Sequence, residues 1–379
     1  MSAEVLPGAL VVGGGLAGAA AAIRLRLAGR PVRLLERERE AHHKVCGEFL
    51  SAEGVAHLGA LGVDVAALGA VPVRAVRLVA AGQLAEARLP FEARSLTRHA
   101  LDEALLVRAG ALGAEVARGV AARRILPDGQ VATTNGDLRA PCVLLATGKH
   151  ELRGARRAAP GAIRHLVGFK TYFRLRPAER AALAGHTELI LFRGGYAGLQ
   201  PVERETANLC LLVAAGRLAA CGGRLPALLE DLAAEVPHLA RRLEGAVPLL
   251  DRPLAVSGVP YGHLLSGQGP SPALWPVGDQ AAVIPSYTGM GMSLALHGAM
   301  LAVRALLAGE GVEAYVRALR RDMAGPVERA TAVQRLAGDR PEAGGRLVAL
   351  ARRMPALVRL AVGLTRLPPP ALRGLGPAG

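Results

Sequence analysis

The chain has 379 residues, of which 51% are hydrophobic and 20% charged, so it holds material for more than one packed core and is not a disordered polymer. Basic residues outnumber acidic ones 46 to 31, but only Lys44, Lys149 and Lys170 are lysines. This Arg-rich composition with 3% aromatics reads as base-composition bias, and no basic run interleaved with aromatics supports nucleic-acid binding. Cys46, Cys142, Cys210 and Cys221 are far apart with no CxxC spacing, which argues against a disulfide framework or a zinc site and predicts a reducing, cytoplasmic home. The ten histidines show no metal-ligand spacing, so no metal is expected.

The first apolar stretch, Val5 to Ile23, is broken by Pro7, Gly8, Gly13, Gly14, Gly15 and Gly18, and reads as folded structure rather than a signal peptide. Ala9 to Val12 forms a buried-strand run that enters Gly13-Gly14-Gly15-Leu16-Ala17-Gly18. An Ala-rich helix over Ala19 to Ala28 follows, stopped by Gly29 and Pro31. A second strand, Val32 to Leu35, ends in Glu36. This is a dinucleotide fingerprint in full context. Gly13 permits the turn, Gly15 admits a pyrophosphate to the backbone, Gly18 lets helix and strand approach, and Glu36 accepts from ribose hydroxyls. FAD and NAD share this unit, so it does not choose between them.

Further along, the pattern predicts one or two strands in 71–90, a helix near Leu96 to Ala111, and short strands at Val116-Ala117, Val131 to Thr134 and Val143 to Ala146. β-rich runs follow at His165 to Leu175, Glu188 to Phe192 and Leu209 to Val213. Asn208 and the polar residues 203–206 read as a hairpin turn between two of them. Trp275 to Met292 then presents a strand, Gly278-Asp279-Gln280-Ala281-Ala282, Pro285 and Gly289-Met290-Gly291, before a helix over Ser293 to Ala308. Asp279 at a strand end suits ribityl hydroxyls. The Gly289–Met292 backbone suits a flavin ring edge, and Met290 is expected to pack.

These residues resemble the FAD-dependent oxidoreductases of the p-hydroxybenzoate hydroxylase fold, in the branch of geranylgeranyl reductases, flavin-dependent halogenases and single-component hydroxylases. Four further stretches carry the likeness: His43 to Ser51, with Cys46-Gly47; Ser95 to Leu105, with Arg98; Ala146-Thr147-Gly148; and Gly194 to Glu203. The resemblance implies an α/β fold. It has a Rossmann-like FAD domain (1–70, 91–160 and 270–309), a substrate domain on an antiparallel sheet (71–90 and 161–269), and a helical basic tail (310–379). It implies FAD held by Gly13, Gly15, Leu16, Ala17, Gly18, Glu36, Arg37, Lys44, Cys46, Gly47, Arg98, Val120, Ala146, Thr147, Gly148, Gly278, Asp279, Gly289, Gly291 and Met292. Cys46, Tyr196 and Pro285 are the catalytic candidates.

Cys46 reads either as a loop residue beside the flavin or as a small buried hydrophobe. Glu48 reads as a second loop residue near substrate or as a solvated acid. Tyr196 and Pro201 match the reductase YxWxFP strand, whereas Gly198 and Gln200 replace its Trp and Phe. The halogenase WxWxIP is also absent, and the change opens room over the flavin. The resemblance implies a monooxygenase that takes electrons from NAD(P)H and uses O2 through a C4a-hydroperoxyflavin on an aromatic, polyketide-type or other lipophilic small molecule. The alternatives are a reductase of isoprenoid or other C=C bonds and a non-catalytic FAD-binding scaffold.

No run of about 20 apolar residues is expected to span a membrane. In 313–379 twelve Arg face five acids, a net +7. Leu347, Leu350, Ala351, Met354, Val358 and Ala361 recur at helical spacing, with Arg346, Arg352, Arg353 and Arg359 elsewhere on the wheel and Pro355 set to kink or split the helix. The tail reads as a helix packed on the core with a solvated basic face, or as a lid or peripheral membrane-touching segment.

Overall fold

The computed structural model describes residues 3–126, 128–267, 273–338 and 341–372. The principal elements in chain order begin with β1 (Ala9–Val12), α1 (Leu16–Leu27), β2 (Val32–Glu36), α2 (Ala52–Ala60), β3 (Val71–Ala80) and β4 (Gln83–Ser95). Next come α3 (Arg98–Ala111), β5 (Glu115–Arg118), β6 (Val143–Leu145), β7 (Leu166–Arg174), β8 (His186–Phe192), β9 (Gly195–Val202) and β10 (Thr206–Ala214). The chain closes with β11 (Leu254–Ser257), β12 (Leu274–Pro276), α4 (Gly291–Leu307), α5 (Val312–Gly338), α6 (Pro341–Arg353) and α7 (Pro355–Leu364).

Two sheets organise the molecule. The first is all parallel in the order β12-β6-β1-β2-β5, so a strand from near residue 275 lies two places from β1. Its central strands are apolar on both faces because both are covered: Val11, Leu34 and Leu144 face the helices, and Leu10, Val12, Leu35, Val143 and Leu145 face a small sheet carrying Ile125, Val131 and Leu138. Ala19 to Ala22 on α1 are fully buried, and these small side chains let α1 sit close to the sheet and to α4.

The second sheet has nine strands and runs β7-β10-β9-β8-β3-β4 through its middle. Its pairings are antiparallel except for β3 with β8. Alternation divides its faces. Phe169, Ile190, Ala197, Leu211 and Val213 join one core under the short helices Pro177–Leu183, Ala215–Ala220, Leu225–Glu235 and Pro237–Leu243. Residues one position along, such as Tyr196 and Leu212, face the opposite way.

Two details depart from the sequence expectation. Asn208 is not in a turn: it lies inside β10, fully buried, and the turn is confined to 203–205. The predicted helices begin earlier or later by two or three residues, because the glycine turns themselves start α1 and α4. Pro355 splits the tail helix, one of the two expected outcomes, by taking the first position of α7 where its missing N–H is not needed.

His57 on α2 is fully buried, and neither ring nitrogen has a hydrogen-bond partner among the described residues. Its ring lies 5.3 Å from that of His297. Burial, with His297 adding to it, depresses the His57 pKa to about 3. Below pH 6.5 the unfolded chain therefore binds a proton that the folded chain refuses, and stability falls as pH drops. Urea melts at pH 7 and pH 5 should show a loss of about 2 kcal/mol from this group at about 1.4 kcal/mol per pH unit. His57→Leu should remove that share of the slope, and an unchanged slope would refute the assignment.

Candidate functional site

The N-terminal glycines build an anion cradle. Gly13 has φ +110°, and a Cβ there would stand 2.4 Å from the Ala146 carbonyl oxygen. A Cβ on Gly18 would stand 1.9 Å from the Gly13 oxygen, so only glycine lets α1 begin this close to β1 and β6. At Gly15 the obstacle would be different: the nearest atoms are Arg98 Nη2 at 3.4 Å and Lys44 Nζ at 3.6 Å. Gly15 offers no side-chain cap to α1, and the first turn carries no acid. Unsatisfied N–H groups, the positive end of a helix and two cations thus converge on one bare position, which suits a pyrophosphate.

Asp102 holds both cations. It accepts from Arg98 Nε at 2.7 Å and from Lys44 Nζ at 2.7 Å. Burial works against the Asp102 charge, but Arg98 and Lys44 outweigh it and keep its carboxyl below the usual range. Glu36 accepts from Gly14 N at 2.9 Å and from Glu38 N at 3.0 Å, one bond on each oxygen, leaving lone pairs for ribose hydroxyls. An open, shallow cleft lies beside it, lined by Gly14, Glu36, His42, Lys44, His99, Asp102 and Arg118 among others. Val120 sits at the rim of β2, its N–H on the Glu36 carbonyl at 3.1 Å. Arg37 is half exposed and pairs with Glu38 at 2.9 Å.

The second glycine cluster comes onto the first. Gly278 has φ +62°, and a Cβ there would lie 2.9 Å from Ala17 Cβ. Asp279 follows in a short 3-10 turn, half-buried, with its carbonyl oxygen accepting from Arg157 Nη1 at 2.8 Å. Gly148, next to Ala146 and Thr147, accepts from Gln280 Nε2 at 2.7 Å and so ties this turn to the end of β6. Gly289 has φ +68° and abuts Phe49, where a Cβ would stand 2.6 Å from the ring. Gly291 then opens α4 with free space around it and no side-chain cap, while the Met290 and Met292 side chains are buried. This second bare helix N-terminus suits the electron-rich edge of a flavin ring.

Tyr196, one catalytic candidate, bonds the segment that follows another, Pro285. Tyr196 Oη lies 2.7 Å from Ser286 Oγ and accepts from the Tyr287 N–H at 3.1 Å, directly after Pro285. The Tyr196 and Tyr287 rings stand edge to face at 6.0 Å. Burial raises the Tyr196 pKa, so its hydroxyl keeps its proton at neutral pH. Cys46 sits in another element, the 43–48 loop, and its Sγ accepts from Glu48 N at 3.3 Å.

That loop is clamped by residues the sequence reading did not single out as a group. Glu48 has φ +61° and a fully buried side chain. Its Oε1 accepts from Arg98 N at 2.7 Å, from Tyr172 Oη at 2.8 Å and from the buried Lys170 ammonium. Its Oε2 has no partner among the described residues. Burial raises the Glu48 pKa and Lys170 opposes it. Lys170 also reaches the Lys44 carbonyl at 3.1 Å, Lys149 reaches that of Val45 at 2.5 Å, and Asn208 Nδ2 reaches those of Cys46 and Gly47 at 3.2 and 2.9 Å. Glu48 is therefore neither solvated nor free to meet substrate through Oε1. Of the chain's three lysines one, Lys44, lies in this loop and the other two donate to its carbonyls, and in so Arg-rich a chain that was the available signal.

Register explains the convergence. Lys170 faces Cys210, which faces Gly198; Tyr172 faces Asn208, which faces Gln200. Two polar rows thus cross the large sheet on the side turned to the loop.

Comparisons with known proteins agree with this geometry. The NAD(P)-binding Rossmann-like domain family matches residues 11–48. AqdB1 of Rhodococcus erythropolis, provisionally named a 2-heptyl-3-hydroxy-4(1H)-quinolone synthase, is 30% identical over 254 residues. That match covers 64% of this chain and 64% of AqdB1, just under two thirds of the relative's length. The flavin-dependent brominase Bmp2 superposes with a TM-score of 0.75 at 16% identity, covering 94% of this chain and 92% of that one. A 2-methyl-3-hydroxypyridine-5-carboxylic acid oxygenase superposes with a TM-score of 0.67 at 22% identity, covering 96% of each. The chain has the p-hydroxybenzoate hydroxylase-like fold of FAD-dependent oxidoreductases.

Two substitutions probe the site. Gly15 has an ordinary extended backbone at φ −75°, so Gly15→Val should fold normally and yet purify without flavin absorbance. Retained flavin would show that the cradle is not used. Lys170→Met strands a buried carboxylate and should cost about 3–5 kcal/mol. Adding Glu48→Gln should recover part of that loss in urea melts, whereas additive losses would mean that the pair is not coupled.

Proposed function

We propose that the chain is an FAD-dependent monooxygenase that hydroxylates an aromatic small molecule, with NAD(P)H as electron donor and O2 as co-substrate. The observation that carries the reading is the convergence of two bare helix N-termini on Gly278, whose Cβ would stand 2.9 Å from Ala17 Cβ in the first turn of α1 and 3.9 Å from Ala295 Cβ near the start of α4. Bound there, FAD would supply electron transfer and oxygen activation. Every other task falls to this chain's own residues.

Arg98 and Lys44 neutralise the pyrophosphate, Glu36 takes the ribose and Asp279 the ribityl chain. Tyr196, fixed by Ser286 and the Tyr287 N–H, keeps its proton and forms a neutral wall with Pro285. Cys46 lies on the loop that bounds the pocket, with its sulfur engaged in the loop's own turn. The site works by orientation and exclusion of water, and needs no strong base.

Gly198 supports a broad planar substrate. It lies on the same face of β9 as Tyr196, and a Cβ there would meet only the Cys210 carbonyl oxygen, at 3.7 Å. The names of AqdB1 and of the pyridine oxygenase share a nitrogen heteroaromatic ring, which makes hydroxylated quinolones and pyridines the first compounds to try.

The test is NADH or NADPH consumption by the purified flavoprotein against such a panel, with mass spectrometry of products made under 18O2. Incorporation of one labelled oxygen is expected. Turnover without oxygen that saturates a carbon–carbon double bond would replace the proposal with a reductase. Gly198→Trp should raise KM for bicyclic substrates about tenfold or more while FAD content stays unchanged. An unaltered KM would place the substrate elsewhere.

A further inference from the structure

The two tail helices repeat one pattern. Leu347, Val348, Leu350, Ala351 and Met354 of the α6 segment recur ten residues later as Leu357, Val358, Leu360, Ala361 and Leu364 of α7. The helices are separate, broken at Met354-Pro355, and within each segment the same spacing of apolar residues gives the same pair of adjoining faces. One face is satisfied: Val348, Ala351 and Val358 are buried against Ala80, Ala85 and Ala87 of β3 and β4. The other is not. Leu347 is 53% exposed, Leu350 47%, Met354 50%, Leu357 36%, Leu360 60% and Leu364 47%. The periodic apolar set therefore serves two surfaces, and only one of them is the protein core.

The charge beside this ridge is of one sign. Arg346, Arg352, Arg353 and Arg359 are exposed on the same two helices, and no Asp or Glu occurs from 343 to 372. A two-fold contact with a second copy would bring these arginines toward their own equivalents. An apolar stripe flanked by arginines and free of acids is instead the pattern of a helix lying in a bilayer interface. No helix among the described residues is long and apolar enough to cross a membrane, so the contact would be peripheral.

We propose that the Leu347–Leu364 ridge is a docking surface for an anionic lipid bilayer, with the leucines entering the acyl boundary and the arginines meeting the headgroups. Basic residues near such a surface add attraction that salt screens, and the apolar stripe adds burial that salt does not screen.

The experiment is co-sedimentation of the full-length holoprotein with phosphatidylcholine vesicles containing 30% phosphatidylglycerol and with pure phosphatidylcholine vesicles. The chain carries +15 overall, so charge must be held constant. The triple variant Leu350→Gln, Leu357→Gln, Leu360→Gln does this at exposed positions, and its flavin content and melting temperature serve as the folding control. Wild type should bind the anionic vesicles, and the variant should bind at least tenfold more weakly at equal charge. Arg346→Gln with Arg353→Gln should weaken binding and flatten its salt dependence. Wild type that fails to bind, or a triple variant that binds as well as wild type, would overturn the proposal. So would a wild-type dimer in sedimentation velocity that the triple variant dissolves without any vesicle binding, which would assign the ridge to a second copy.

Discussion

One buried carboxylate sets the relation between the two sheets. Glu48 carries three donors on a single oxygen, from α3 and from two positions on β7, in a place where no water reaches it. A carboxylate desolvated to this degree is tolerable only with a cation and hydrogen bonds beside it. Lys170 is that cation, and it has no exposed surface either. The pair ties the 43–48 loop to the large sheet, and the left-handed backbone at Glu48 shows how tightly the loop must turn to bring them together.

Arg98 extends this constraint to the cofactor cradle. Its backbone N–H binds Glu48, while its guanidinium binds Asp102 and stands over Gly15. The start of α3 is thus fixed by the loop on one side and presents its guanidinium to the glycine cradle on the other. A shift in β7 relative to the loop would move the cation that stands over the bare Gly15. Thr97 adds a second tie, since its side chain caps α3 at Ala100 N and also bonds Glu203 at the end of the β9 strand. The two halves of the site therefore share a rigid joint rather than a flexible hinge.

The glycine cradle was legible in the sequence because its logic is local: strand, turn and helix follow one another within about 30 residues. The second cluster was legible because Gly278 and Gly289 keep positive φ in an order that repeats the same logic. The Glu48 joint was not. Its partners lie 50, 122 and 124 positions away, on α3 and β7, and only the tertiary packing of the loop against both brings them together. Asn208 was misread for a related reason. Asparagine favours turns through its local hydrogen bonds, yet here the same amide donates to two carbonyls of a distant loop, and tertiary demand outweighs propensity. The tail was half legible: its period was plain, but period alone does not say which stripe faces the protein.

The departures in β9 gain a physical meaning from these contacts. Gln200 stands where an aromatic residue would be expected, but it is not a vacancy. Its Oε1 accepts from Thr187 Oγ1 at 3.0 Å, its Nε2 donates to Ser95 Oγ at 2.6 Å, and Ser95 Oγ donates to the Glu48 carbonyl at 3.2 Å. The amide thus links β8, β9, β4 and the loop in one chain of bonds, buried with few gaps, as such networks must be to stabilise. An aromatic ring at 200 would leave Ser95 and Thr187 without this partner. The neighbouring Gly198 gives up a ring and keeps only space. Rigidity at 200 and openness at 198 are complementary: the strand can keep open space at Gly198 because a buried, fully engaged amide fixes it one pleat away.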